Sequence, residues 1–254
     1  MSASEIVLRM LEEKVGFSFL KEKKYLLETK IKKRMRLTGI SEEEKYLNIV
    51  LKDEKEFQAL VDLLAINHTF FFREPAHFEH LKNFISSLKF VTVKGWCAAC
   101  SSGQEAYSIA FVVEQYKHSS VEFRLLATDI DNQALAKAQN GQYPLEELNH
   151  IPDEFHRFLQ KEGQNFSVSS EIKKKILFRK INLVEFPYPL KGDLDFIFCR
   201  NVFIYFSPDM KHRAILEMVK LLKKGGFLYV GMSEPIVEDI EGLKKLGNAI
   251  YQRV

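Results

Sequence analysis

Glu105 and Asp129 are the residues whose types and spacing first suggest chemistry. Glu105 opens an apolar helical segment just after a turn of small residues, Ala98-Ala99-Cys100-Ser101-Ser102-Gly103, and Asp129 ends the apolar run Leu125-Leu126-Ala127-Thr128. A strand, a tight turn, a helix N-terminus and an acidic residue at the end of the next strand form the usual nucleoside pocket of an α/β sheet. Small side chains in the turn leave room for a ligand against the backbone. The turn holds a single glycine, Gly103, and no lysine, so it is neither a Gly-x-Gly-x-x-Gly fingerprint nor a phosphate loop. Glu105 would repel a phosphate, but it suits an ammonium, a sulfonium or ribose hydroxyls. Asp129 is placed to accept from ribose hydroxyls, and Asp131 competes with it for that role. The combination fits S-adenosylmethionine better than a phosphate-bearing nucleotide.

A second candidate group lies beyond the turn. Asp195-Phe196-Ile197-Phe198-Cys199 reads as a buried strand whose end delivers Arg200 and Asn201 to the carboxyl edge of the sheet, where ligands sit. One helical turn brings Tyr205 near Asn201. Arg73 follows Phe70, Phe71 and Phe72, and a guanidinium after three aromatics either pairs with a carboxylate or stacks. At least two of the three phenylalanines are expected in the core. Cys97 and Cys100 make a Cys-x-x-Cys, but the further ligands a zinc site needs are missing, so small turn residues are the better reading. His77 and His80 share a helix face and are expected to be surface residues; no metal is expected.

The elements that must position these groups fall into two unequal parts. Residues 4–66 carry helical periodicity with glycine only at Gly16 and Gly39, which predicts a small all-α domain. Between residues 21 and 36 eight basic residues stand against Glu22 and Glu28. Leu20, Leu27, Ile31 and Met35 share one helix face, and Lys30, Lys32, Lys33 and Arg36 spread over the opposite one. That face is either a solvated surface or a site for an acidic partner. Residues 67–74 form the hinge, followed by a helix from Pro75 to Leu88. From about Lys89 strands and helices alternate, which predicts a mostly parallel sheet with helices on both faces. Strands are expected at 90–97, 123–128, 176–179, 194–199, 226–230 and 249–253, with a late antiparallel pairing between 227–232 and 250–253. Residues 145–180 break the alternation, and the domains are placed at 1–70 and 71–254.

Three distant strings make a resemblance specific: Asn67-His68-Thr69-Phe70-Phe71-Phe72-Arg73-Glu74, the run from Trp96 to Ser108, and Cys199-Arg200-Asn201-Val202-Phe203-Ile204-Tyr205-Phe206. Asn182-Leu183 and the run from Gly225 to Glu234 extend it. Together they resemble the CheR-type chemotaxis receptor glutamate methyltransferases over nearly the whole chain. The resemblance implies a Rossmann-like S-adenosylmethionine-dependent methyltransferase fold with a small all-α N-terminal domain and a small β-subdomain insertion. It also implies methyl transfer to receptor glutamates, with S-adenosylhomocysteine as product. Carried over by position, Asn67, Thr69 and Arg73 contact the cofactor and the reacting region, and Glu105 contacts its amino-acid portion. Asp129 would then hold the ribose, Asn182 and Leu183 the adenine region, and Arg200 and Asn201 the methyl end. Arg73 and Tyr205 are the catalytic pair, and Lys30, Lys32, Lys33 and Arg36 dock the glutamate-bearing helices of chemoreceptors. Some family members grip a receptor-tail pentapeptide with the insertion. Here 158–175 holds only Gly163, where the tail-binding members have a glycine-richer loop, so the tether is expected to be unused.

Composition agrees with such an enzyme. The chain has 254 residues, 46% hydrophobic and 28% charged, with a net charge of +3, which favours a globular protein over disorder or a nucleic-acid binder. The basic run lacks interleaved aromatics at stacking positions. Without a long apolar run or a basic-hydrophobic leader the protein is expected to be cytoplasmic, with no membrane insertion, and monomeric. Three cysteines do not make a disulfide framework. Two other readings stay open: a methyltransferase of the same fold acting on another substrate, and a non-catalytic S-adenosylmethionine-binding scaffold.

Overall fold

Apolar strands flanked by amphipathic helices dictate the layers of the larger domain. The computed structural model describes residues 3–16, 24–65, 67–89 and 91–254; Leu20, Lys21, Lys23 and Phe90 of the expectations above lie outside them. Among the described residues four helices come first: α1 (Ala3–Val15), α2 (Lys24–Thr38), α3 (Glu43–Lys52) and α4 (Glu54–Leu64). They close on a core of their own that includes Val7, Leu11, Leu27, Ile31, Tyr46, Leu47, Leu60 and Val61. The Asp53 carboxylate starts α4 by accepting from the backbone N–H of Lys55 at 2.8 Å. Arg34, one of the eight basic residues of 21–36 but not of the basic face, is spent inside the domain. It turns inward and pairs through two nitrogens with Glu56, at 2.9 and 2.6 Å, while the Tyr46 hydroxyl donates to the same carboxylate at 2.9 Å.

The second part holds α5 (Pro75–Ser86), β1 (Thr92–Ala98), α6 (Gln104–Tyr116), β2 (Glu122–Asp129) and α7 (Asn132–Asn140). A small insert follows with β3 (Gln142–Pro144), two 3₁₀ turns, β4 (Leu159–Glu162), β5 (Asn165–Val168) and the short α8 (Ser170–Lys173). The chain then completes the main sheet with β6 (Ile176–Lys180), β7 (Leu194–Cys199), α9 (Pro208–Leu221), β8 (Leu222–Val230), β9 (Leu243–Gly247) and β10 (Ile250–Arg253). The seven-stranded sheet has the order β6-β2-β1-β7-β8-β10-β9. All pairings from β6 to β8 are parallel, and β10 runs antiparallel to both β8 and β9. The order reverses at β1, which lies between β2 and β7, with Trp96 flanked by Leu126 and Ile197. That reversal opens a crevice at the carboxyl ends of β1, β2 and β7.

Two of the boundaries move. The insert's own sheet, β3-β5-β4, occupies 142–168, and residues 176–180 belong to the main sheet as the neighbour of β2. The edge strand β9 is new: its Leu-Lys-Lys-Leu-Gly sequence is mostly exposed and carries no alternating apolar signal. The helix at Pro75 ends at Ser86, two residues short of Leu88. Phe71 is buried among Phe111, Tyr143 and Phe166, a burial that stabilises by about 2–3 kcal/mol. Phe72 stacks on Phe155 at 4.8 Å, and Phe70 lies against His150 at 5.2 Å, so the hinge is fastened to the insert by its own aromatics.

Candidate functional site

The crevice at the switch point is a cleft with an empty volume of about 850 Å³, open mouth included. Asn67, Thr69, Arg73, Glu105, Asp129, Asn182, Leu183, Arg200, Asn201 and Tyr205 all line it. The all-α domain contributes Val15 to the wall. A side chain at Gly16 would come within 2.5 Å of Val184, so glycine lets the end of α1 approach the loop after β6 closely.

Asp129 is 7% exposed at the end of β2. Its two oxygens accept from the backbone N–H groups of Ser101 at 2.7 Å and Asp131 at 2.9 Å. Burial pushes its carboxyl up, and those donors oppose the shift. A carboxylate has about four lone-pair sites, so two remain for ligand hydroxyls. Asp131 is otherwise engaged. It caps α7 through the N–H groups of Gln133 and Ala134 at 2.7 and 3.0 Å, accepts from Asn67 Nδ2 at 2.5 Å, and does not line the cleft. Asn67 in turn accepts from the Ser101 hydroxyl at 3.1 Å, which ties the hinge to the turn after β1. Asn182 donates to the Lys14 carbonyl at 2.5 Å and to Glu185 at 2.9 Å, so it joins the two domains at the edge of the cleft.

Glu105 does not stand free at the mouth as its sequence position implies. Arg200 Nη1 donates to it at 2.9 Å, and the Cys97 thiol donates at 3.3 Å. Burial pushes the Glu105 carboxyl up, and the guanidinium pulls it back. Arg200 is itself fully buried, and its Nη2 lies 3.0 Å from Glu74. On Glu74, burial is outweighed by Arg200, the Met232 N–H and the Asn201 amide, which leave its carboxyl below the ordinary value. The guanidinium thus bridges two carboxylates and faces the Phe78 and Phe198 rings at 5.7 and 5.9 Å. Arg73 differs. It donates to the His68 carbonyl at 3.1 Å and covers the Phe70 ring at 5.7 Å, and among the described residues no carboxylate lies within ion-pair distance of it. Tyr205 ends a 3₁₀ turn, Phe203–Tyr205, and burial followed by the charge of Glu234 raises its hydroxyl pKa.

Strain concentrates here. Ala99, Ser101 and Asn201, which line the cleft, and Phe72 and Glu74, which flank Arg73, all have positive φ without being glycine. Such conformations cost about 1 kcal/mol or more each and persist where surrounding contacts over-determine them. Glu74 and Glu234 are the neighbours of the candidate site that sequence reading missed; both stand in the matching strings, but Glu74 meets Arg200 from more than a hundred residues away and Glu234 meets the Asn201 and Ile204 backbone from about thirty. The histidines also correct an expectation. His77 is buried, 2.6 Å from the Asn248 carbonyl, and His80 lies 2.8 Å from the Tyr229 hydroxyl, so both are packing residues rather than surface ones. The three cysteines are buried and free, and burial pushes each thiol well up. Among the described residues no group of three or more His, Cys, Asp or Glu side chains is arranged to hold a metal ion, and no helix is long and apolar enough to cross a membrane.

A doubly wound sheet with a reversed β10, a cleft at its switch point walled by Glu105 and Asp129, and an all-α domain against one side define an S-adenosylmethionine-dependent methyltransferase architecture. Two family models cover nearly the whole chain: the CheR methyltransferase all-alpha domain over residues 4–65 and the CheR methyltransferase SAM binding domain over residues 67–251. The chain is 34% identical to chemotaxis protein methyltransferase 2 of Pseudomonas aeruginosa, over 93% of this chain and 87% of that one. It is 32% identical to the chemotaxis protein methyltransferase of Borreliella burgdorferi, over 91% and 87%. It is 30% identical to that of Salmonella typhimurium, over 96% and 88%. The chain belongs to the CheR methyltransferase family.

Proposed function

We propose that the protein moves the methyl group of S-adenosylmethionine to the side-chain carboxylate of glutamates in chemoreceptor helices, releasing S-adenosylhomocysteine. The observation that carries this reading is the division of labour between two arginines in one cleft: Arg200 is consumed by Glu74 and Glu105, whereas Arg73 has no carboxylate partner among the described residues. Ala99 and Ser101, small residues that line the cleft with Asp129, leave room there for a nucleoside with an amino-acid tail. S-adenosylmethionine, when bound, supplies a methyl group on a sulfonium whose positive charge disappears as the methyl leaves.

The acceptor needs no general base, because a glutamate of ordinary pKa near 4.3 is already ionised at neutral pH. The bond formed is carbon to carboxylate oxygen; the bond broken is carbon to sulfur, and its electron pair stays on sulfur. The residues therefore align and exclude water, effects worth up to about 7–11 kcal/mol in favourable cases. Arg73 holds the acceptor carboxylate at the mouth, and Tyr205 orients it. Asp129 holds ribose hydroxyls, and Glu105, kept in place by Arg200, faces the ammonium of the amino-acid tail. Asn182 and Leu183 border the adenine region.

The first test is calorimetric titration with S-adenosylhomocysteine and S-adenosylmethionine. Asp129→Ala is expected to weaken both by about 10²-fold, since it removes the buried acceptor of two hydroxyl bonds. A variant that binds as wild type sinks the ribose assignment.

The basic helix supports the acidic-partner reading. Lys32, Lys33 and Arg36 are exposed on α2 and Lys30 is half-buried, opposite the buried Leu27 and Ile31. Reversing Lys32, Lys33 and Arg36 to Glu is expected to cut the methylation rate of a receptor cytoplasmic fragment by about tenfold at low salt, through lost electrostatic steering, and to leave S-adenosylhomocysteine affinity within a factor of two. An unchanged rate would remove docking through this face. In the insert, β4 and β5 are joined by a two-residue turn at Gly163 and Gln164, too short for a loop that shapes an incoming strand. Receptor fragments with and without their last five residues are accordingly expected to be methylated at the same rate.

A further inference from the structure

The backbone that presents Asn201 and Tyr205 to the cleft is pinned from behind by a carboxylate that does not line the cleft itself. Glu234 is 5% exposed. One of its oxygens accepts from the N–H of Asn201 and from Gly231 N–H at 3.3 Å, and the other accepts from Ile204 N–H at 2.9 Å. The Lys211 ammonium nearby is directed to the carbonyls of Glu234 and Pro235, each at 2.8 Å, and not to the carboxylate. The side chain is therefore a buried anion neutralised by backbone donors, the arrangement found in anion-binding nests. Burial pushes its carboxyl up to about 6.

A neutral amide in this place cannot satisfy the same neighbours, because they are all donors and half of an amide is a donor too. The grip takes in Asn201 directly. Asn201 has φ 58, the left-handed region that asparagine enters more readily than most other non-glycine residues. A Cβ at Gly231 would meet Asn201 Nδ2 at 2.8 Å and its backbone N at 2.9 Å. Glycine at 231 thus lets the two loops close, and Glu234 fixes them once closed.

We propose that Glu234 is a positioning residue of the cofactor site: its carboxylate sets the 201–205 backbone so that Asn201 meets the methyl end of the cofactor. The proposal rests on the reading of Asn201 as a cofactor contact, and its test separates the two. Wild type, E234Q, N201A and the double variant are titrated with S-adenosylhomocysteine. E234Q is expected to weaken binding by about tenfold in the wild-type background and by less than about twofold in the N201A background, where the residue it positions is gone. Equal weakening in both backgrounds overturns the proposal, because it marks a general structural role; wild-type affinity in E234Q overturns it as well. N201A binding as tightly as wild type defeats the Asn201 reading and takes the proposal with it. Circular dichroism checks the fold. If E234Q is unfolded, G231A, whose methyl displaces Asn201 from the other side, enters the same cycle with the same expected non-additivity.

Discussion

Arg200→Met is expected to lose about 3–5 kcal/mol of folding stability together with measurable S-adenosylhomocysteine binding. The guanidinium is fully buried between Glu74, at 3.0 Å, and Glu105, at 2.9 Å, and its Nη2 also donates to the Arg73 carbonyl. Removing one partner of a buried ion pair strands the other charge, and here two carboxylates are stranded facing one another. The loss is large against a typical domain stability of about 5–15 kcal/mol. Its pH dependence gives the mechanism away. With Arg200 present, Glu74 has a folded-state pKa below its unfolded value, so its contribution is present above that value and lost as pH falls. Without Arg200 both carboxylates are raised by burial and by each other, so the penalty is full at pH 8 and shrinks as pH falls through the raised values. Urea denaturation of both proteins at pH 8 and pH 5.5 should show the difference narrowing on the acid side. A difference that stays constant with pH would mean that the guanidinium's packing against Phe78 and Phe198, and not its charge, was lost. The double variant with Glu105→Gln should recover part of the stability, because only one carboxylate is left unpaired.

The network explains why a cofactor site could be read from this sequence and its support could not. The strands of the switch point announce themselves as apolar runs, since β1, β2 and β7 are largely buried towards their carboxyl ends, and polar residues stand at the end of β2 (Asp129) and just past the end of β7 (Arg200, Asn201), where the crevice opens. Asp129 and Asn201 are legible for that reason. Glu74 and Glu234 are not, because what defines them is a partner reached only after the sheet has formed: Arg200 for one, the 201–204 backbone for the other. Arg34 shows the same limit on the helical side. Its charge counts with Lys32, Lys33 and Arg36 in any tally along the chain, but it stands three residues after the buried Ile31 and turns to Glu56 on another helix. Edge position hides β9 for a different reason. Exposed on most residues, it needs no apolar stripe and is held by backbone pairing to β10.

Arg73→Ala is expected to lower kcat for methylation of a receptor fragment by about 10²–10³-fold while leaving a folded protein that still binds S-adenosylhomocysteine within about tenfold of wild type. The reasoning starts from what Arg73 does not do. Among the described residues it makes no ion pair with a carboxylate, and its hydrogen bond to the His68 carbonyl and its place over Phe70 orient a planar donor at the mouth of the cleft. Truncating it is therefore expected to leave the Arg200 network and the cores intact and to remove the fork that, on the proposed reading, holds the incoming carboxylate in line with the methyl group. Misalignment of a reacting pair by about 1 Å can cost about 10²-fold, so the loss should fall on kcat more than on KM for the cofactor. Arg73→Lys keeps the charge and loses the bidentate geometry. It should recover the steering of the acidic helix but less than a tenth of the lost kcat. If Lys restores the wild-type rate, charge alone suffices and the alignment role is wrong; if Ala leaves kcat unchanged, the acceptor carboxylate is held elsewhere, with Tyr205 the next residue to vary.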